Sequence, residues 1–156
     1  MKGAIQETGS LYYTNMKQLF KELEEAQLQY DWLITDFVGY PQDEAISRLF
    51  ENDTVWLTGR QLTALVERDD FQWIWAMLSG FPAGTPKNAV MAFPSPRADG
   101  NIAVWAAPIT IQHPLAELEI IAWDSSLTVL KHRRDYLADR WMKNNPHVKD
   151  LAEFFG

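Results

Sequence analysis

Three histidines, a few carboxylates and one short basic run are the residues whose chemistry could reach beyond packing. His113, His132 and His147 lie far apart, with no His-x-His, no HExxH and no carboxylate at ligand spacing on a helix, so the pattern predicts no metal centre. His113 precedes a proline and His147 follows one, which suits surface or capping histidines. Ser125 and Ser126 stand beside Asp124, with His132 a strand away. Triad members converge from different elements, and no G-x-S-x-G elbow is present, so these residues read as a turn. Gly80 to Lys87 superficially follows a phosphate loop. It misses the G-x-x-x-x-G-K-[ST] spacing, and Pro82 and Pro86 remove N–H donors that would cradle an anion.

Among the carboxylates, Asp36 sits between aromatic residues and shares strand parity with Trp32 and Ile34. Buried there it could serve as a general acid, although the commoner role of such a residue is structural, where a strand leaves a sheet edge. Glu117 and Glu119 share one strand face. Lys131-His132-Arg133-Arg134, with Arg140 and Lys143, is the one positive cluster and could hold a phosphate or an acidic peptide. Asp135 and Asp139 dilute it, and a solvated helix start is the commoner explanation.

Seven tryptophans, at 32, 56, 73, 75, 105, 123 and 141, are many for 156 residues. Most fall in predicted strands and belong to a core. Trp73 and Trp75, on one face of a strand, would make an aromatic contact surface if exposed. The net charge of −7 is uneven: residues 1–70 carry 6 Lys/Arg against 13 Asp/Glu, and residues 71–156 carry 8 of each. An acidic field speeds encounter with a basic protein and opposes nucleic acid. The same acidity also serves solubility.

The elements that must position these residues follow from periodicity. The chain length suits one domain, and 47% hydrophobic residues supply a core. A short strand is expected at 2–8. Asn15 with Gln18 makes a capping pair, and Met16, Leu19, Phe20 and Leu23 make an apolar stripe, so 15–28 is predicted helical. Strands are expected at 30–38 and 54–57, a helix at 42–51, and another capped by Thr58 with Gln61. Residues 71–78 fit strand or helix, and their aromatic density favours strand. Residues 79–87 are expected to be loop, 88–93 and 101–106 strands, and 109–112 an extended edge. A hairpin is expected at 118–123 and 127–131, then helices at 135–144 and 147–155. Strands followed by helices predict an α+β domain, its mainly antiparallel sheet carrying helices on one face.

There is no cysteine, which excludes disulfides and thiolate metal sites. The start, Met-Lys-Gly-Ala-Ile-Gln-Glu-Thr, has no apolar core of a secretory signal, and no run approaches a membrane span, so a soluble, intracellular protein is expected. The sequon at Asn52-Asp53-Thr54 then reads as chance.

In residues 118–155 an apolar strand ends in Trp123-Asp124-Ser125-Ser126. A second strand, a helix, Asn145-Pro146 and Asp150-Leu151 follow. This pattern resembles the tail of several small bacterial immunity proteins and of related short acidic proteins with no assigned role. Val55-Trp56-Leu57-Thr58-Gly59-Arg60-Gln61-Leu62 and Gly80-Phe81-Pro82 are similar to one such uncharacterised group. The likeness spans about two thirds of the chain through short motifs. It implies binding rather than catalysis and carries over no site residue.

The expected function is a non-catalytic protein-binding module, an immunity-type protein or inhibitor that sequesters a toxin or a phage-defence effector. Partner contacts are expected at Glu22, Glu24, Glu25, Asp43, Glu44 and Asp53, with Trp73 and Trp75 as aromatic contacts and no cofactor. An alternative is a small-ligand protein or enzyme whose pocket would hold Asp36, His113 or Arg133 between aromatic walls. A third is a self-assembling subunit.

Overall fold

Side-chain capping acceptors start several of the helices. Asn15 accepts the Gln18 N–H at 3.0 Å and opens α1 (Met16–Glu22), whose Met16, Leu19 and Phe20 are buried. Asp43 accepts the Ile46 N–H at 3.1 Å and opens α2 (Glu44–Leu49). Thr58 and Gln61 close a reciprocal capping box, at 3.1 and 2.9 Å, ahead of α3 (Gly59–Arg68). The computed structural model describes residues 1–9 and 14–155. α1 stops short of residue 28 because Glu24 and Glu25 take left-handed backbone, with φ of 56° and 62°, where an α-helix of L-residues cannot continue. A 3₁₀ turn, Ala26–Gln29, follows.

The strands are β1 (Lys2–Gln6), β2 (Tyr30–Gly39), β3 (Thr54–Thr58), β4 (Trp73–Pro82), β5 (Leu118–Trp123), β6 (Leu127–His132) and β7 (Val148–Asp150). They form one sheet in the order β3-β2-β4-β5-β6-β1-β7, antiparallel at every pairing. α1, α3 and α5 (Tyr136–Asn144) cover one face, where Phe20, Leu62, Leu65 and Trp141 meet Trp32, Ile34, Leu78 and Ile120. The opposite face is covered by α4 (Lys87–Met91), the segment 92–117 and α6 (Leu151–Phe154). The fold is α+β, with its longer helices on one face.

Several boundaries differ from the sequence expectations. Residues 88–93 are not a strand: Lys87–Met91 forms a helix behind Pro86, whose fixed φ suits a helix start. Residues 101–106 form a 3₁₀ turn, Ile102–Trp105, and 109–112 joins no strand. β4 runs on through Gly80 to Pro82, because Gly80 packs its bare Cα against the Trp32 ring, where a Cβ would crowd at 3.2 Å. The expected last helix begins as β7, which pairs with β1 before α6 starts.

Candidate functional site

The ten residues of β2 span about 30 Å, which gives the sheet two well-separated ends. At the Tyr30 end lie the 3₁₀ turn 26–29, Thr58 and Pro82; at the Gly39 end lie Thr54, Trp73 and the β5–β6 turn. Much of the chain's negative charge gathers at the Gly39 end. Asp36, Glu51, Asp53 and Asp99 lie on one side of this rim, and Asp43, Glu44, Asp69 and Asp70 on the other. Arg48, Arg68 and Arg97 are cations in the same region, and two of them are engaged: Arg48 with Glu44 at 2.5 Å, Arg68 with Asp43 at 2.6 Å. Glu51 and Asp53 are exposed and, among the described residues, form no ion pair.

A cleft of about 470 Å³ opens in this rim, lined by Asp36, Phe37, Phe50, Glu51, Asp53 and Arg97. One wall is the stacked pair Phe37–Phe50, with ring centroids 3.9 Å apart. Its floor depends on Asp36, which adopts φ +55° at the irregularity between Thr35 and Val38. That kink removes Asp36 from the parity of Trp32 and Ile34. Its carboxylate accepts the N–H groups of Ala98 at 2.9 Å and Asp99 at 2.8 Å. The Thr35 hydroxyl donates to the Pro96 carbonyl at 2.6 Å. Asp36 therefore anchors the 96–99 loop, and this is a structural role, not that of a buried general acid.

The expected partner contacts do not share one face. Glu22, Glu24 and Glu25 lie toward the Tyr30 end, while Asp43, Glu44 and Asp53 lie at the Gly39 end. Glu22 is half-buried and accepts from Trp141 Nε1 at 3.1 Å and Asn145 Nδ2 at 3.0 Å, joining α1 to α5. Glu24 faces Arg140 at 3.5 Å, and Glu25 accepts from Gln27 at 2.8 Å. Asp43 caps α2, and the Ile46 N–H, then Arg68, hold its carboxyl below the usual carboxylate range. Asp53, with Glu51 beside it, remains the least engaged of the acidic contacts.

Trp73 and Trp75 point to opposite faces. Gly39 pairs with Trp73 and Val38 with Trp75, so Ile74 is an extra residue on β4, and such a bulge reverses the alternation. Trp73 is fully buried against Phe71, Phe37 and Phe50. Trp75 is half-buried on the other face, edge to face with Trp123 at 4.8 Å. They form no common aromatic surface.

The basic run is dispersed. Lys131 is fully buried opposite Glu119, with Nζ and Oε1 3.6 Å apart, and donates to the Thr110 carbonyl at 2.9 Å. Glu119 Oε2 accepts the Gln112 N–H at 2.9 Å, while Oε1 and the neighbouring Ser79 Oγ lack a hydrogen-bond partner among the described residues. Burial pushes the Glu119 carboxyl up and the Lys131 ammonium down. This pair was missed in the sequence, where Glu119 is grouped with Glu117. The signal was present: the two residues are equidistant from Ser125, so a hairpin turning there sets them opposite.

His132 is buried. Its Nδ1 accepts the Leu137 N–H at 3.4 Å, so Nε2 carries the proton and faces Tyr30 Oη at 3.3 Å. Burial, and then Arg134, lower its pKa to about 4, and burial raises that of the Tyr30 phenol. Arg133 donates to the Ala116 carbonyl at 2.5 Å, and Arg134 is exposed 3.7 Å from Glu117. His113 is buried rather than superficial: Nε2 donates to the Val90 carbonyl at 2.9 Å, Nδ1 accepts the Leu115 N–H at 3.1 Å, and the ring stands on Phe81. His113 and Arg133 are thus neighbours, with Asp36 at the other end of the sheet, and the three share no pocket.

Among the described residues no group of three or more His, Asp or Glu could hold a metal ion, and no helix is long and apolar enough to cross a membrane. No protein-family model, curated protein or solved structure matches the chain.

Proposed function

We propose that this protein is a non-catalytic binding module of the immunity or inhibitor type, and that its acidic rim at the Gly39 end holds a basic surface of a protein partner, a toxin or a defence effector. The observation that carries this role is the spatial gathering of carboxylates around Glu51 and Asp53, which are exposed and form no ion pair among the described residues, with Arg97 as a cation on the same cleft. Unpaired carboxylates of one sign at a rim raise the local concentration of a cationic partner and speed its encounter. The Phe37–Phe50 stack beside them offers apolar area for a short-range contact once charge has steered the approach. Asp36 supports the site by anchoring the loop that carries Arg97.

The test is capture of partners from a lysate of the source cells on the wild-type protein and on a Glu51→Lys/Asp53→Lys variant, read by mass spectrometry. One stoichiometric partner, lost with the variant and released by moderate salt, supports the proposal. A partner retained equally by both proteins places the contact elsewhere and overturns the acidic-rim assignment.

A further inference from the structure

Among the described residues β3 is an edge of the sheet and pairs with β2 alone. Sheet edges are usually blunted by proline, lysine, bulges or extreme shortness, because their free N–H and C=O groups recruit other strands. β7, the opposite edge, has three residues. β3 has five, Thr54-Val55-Trp56-Leu57-Thr58, with no proline or lysine and an unbroken register against β2.

The orientation of its free groups follows from the capping box. The Thr58 N–H donates to Gln61 Oε1 at 2.9 Å, so Thr58 and Asp31 form a pair that does not exchange hydrogen bonds. Alternation then joins Val55 and Leu57 to β2 and turns the N–H and C=O of Thr54 and Trp56 away from the sheet. Val55 and Leu57 point their side chains into the helical-side core, and Trp56 rests half-buried on Phe81 on the other face.

We propose that β3 pairs antiparallel with β3 of a second copy of this chain, about a two-fold axis at Trp56. The edge is nearly its own reverse: Thr-Val-Trp-Leu-Thr reads alike from either end. A two-fold interface requires this self-complementarity. In the register centred on Trp56, the two Trp56 residues exchange both hydrogen bonds, Val55 meets Leu57 of the second copy on the core side, and Thr54 lies opposite Thr58, whose N–H stays with Gln61 Oε1 and whose carbonyl is left to accept. The flanks match as well. Glu51 and Asp53 precede the strand and Arg60 follows it, all exposed and without ion pairs among the described residues. Antiparallel pairing carries the acidic flank of each copy to Arg60 of the other, twice over, so a second copy and the proposed partner compete for Glu51 and Asp53. This charge match favours a second copy over an unrelated strand.

Sedimentation velocity over a range of protein concentrations at low salt tests the pairing. The wild-type mass is expected to rise from one chain to two as concentration increases. Arg60→Glu should raise the dissociation constant about tenfold, because each of two flank pairs becomes repulsive. Asp53→Lys alone should weaken the dimer likewise, and Asp53→Lys/Arg60→Glu should recover it. Thr54→Pro removes an outward N–H donor and should also weaken it. A single-chain mass at every concentration overturns the proposal. So does a dimer indifferent to Arg60→Glu, or one that the double exchange does not recover.

Discussion

Glu119 on β5 and Lys131 on β6 face each other inside the protein, Oε1 and Nζ 3.6 Å apart, with side-chain exposures of 0% and 1%. Each also grips the covering segment, Glu119 through the Gln112 N–H and Lys131 through the Thr110 carbonyl. The pair therefore fastens residues 110–112 to the sheet as well as neutralising itself. Removing one partner leaves a buried charge without its counterpart, so Glu119→Gln or Lys131→Met alone should lower stability by about 3–5 kcal/mol in urea unfolding. Glu119→Leu with Lys131→Met removes both charges and should recover most of that loss. A double variant as unstable as the summed singles would show that the two charges are not coupled.

His132 predicts the acid limb of stability. Its folded pKa of about 4 lies below the ordinary histidine value of 6.5, so the unfolded chain binds the proton more readily between these values. Stability contributed by the neutral ring is present above about pH 6.5 and is lost as pH falls toward about 4, up to ~3 kcal/mol. Unfolding free energies measured across this window should fall with acidification in the wild type. The slope should flatten in His132→Gln, which cannot titrate. An equal slope in both proteins would assign the acid sensitivity to other groups.

Asp36 anchors its loop by two hydrogen bonds from consecutive N–H groups. Asp36→Ala withdraws Oδ2, the one oxygen that accepts both, and places a residue without a local hydrogen bond at φ +55°. A stability loss of about 1–3 kcal/mol is expected, with faster amide exchange at Ala98 and Asp99. Asp36→Asn, which keeps one acceptor oxygen and tolerates left-handed backbone, should retain most of the protection. Unchanged exchange in Asp36→Ala would mean that the loop is held by Thr35 and packing alone.

The parts of this fold that were legible in sequence are those set by local chemistry. Asn15 with Gln18 and Thr58 with Gln61 start helices because side-chain acceptors sit where unpaired N–H groups need them. The β5–β6 hairpin follows from Asp124-Ser125-Ser126, whose first two residues take the positive φ that the turn requires. Less legible was the run Ala89-Val90-Met91-Ala92-Phe93, too short and uniformly apolar to show a period, so Pro86 was its sole pointer to helix. The bulge at Ile74 has no local signature; it is imposed by pairing with Val38 and Gly39, and it separates Trp73 from Trp75. The acidic half of the sequence was visible, but its division between the two ends of β2 depends on tertiary register. Charge counts carry no such information.

That division separates structural carboxylates from exposed ones. Glu22 accepts from Trp141 Nε1 and from Asn145 Nδ2, so it ties α1 to α5. Glu51 and Asp53 make no such contacts among the described residues and stand exposed. Glu22→Ala should lower stability by about 2 kcal/mol, because an indole N–H and an amide lose a charged acceptor. Glu51→Lys and Asp53→Lys should each change it by less than about 0.5 kcal/mol. Thermal unfolding of the three variants, set beside their partner association rates, separates the roles. Loss of association without loss of stability is expected at 51 and 53, whereas any loss at 22 should follow its stability. Association that falls at Glu22 under conditions where the variant is fully folded would move the contact surface to the α1–α5 side.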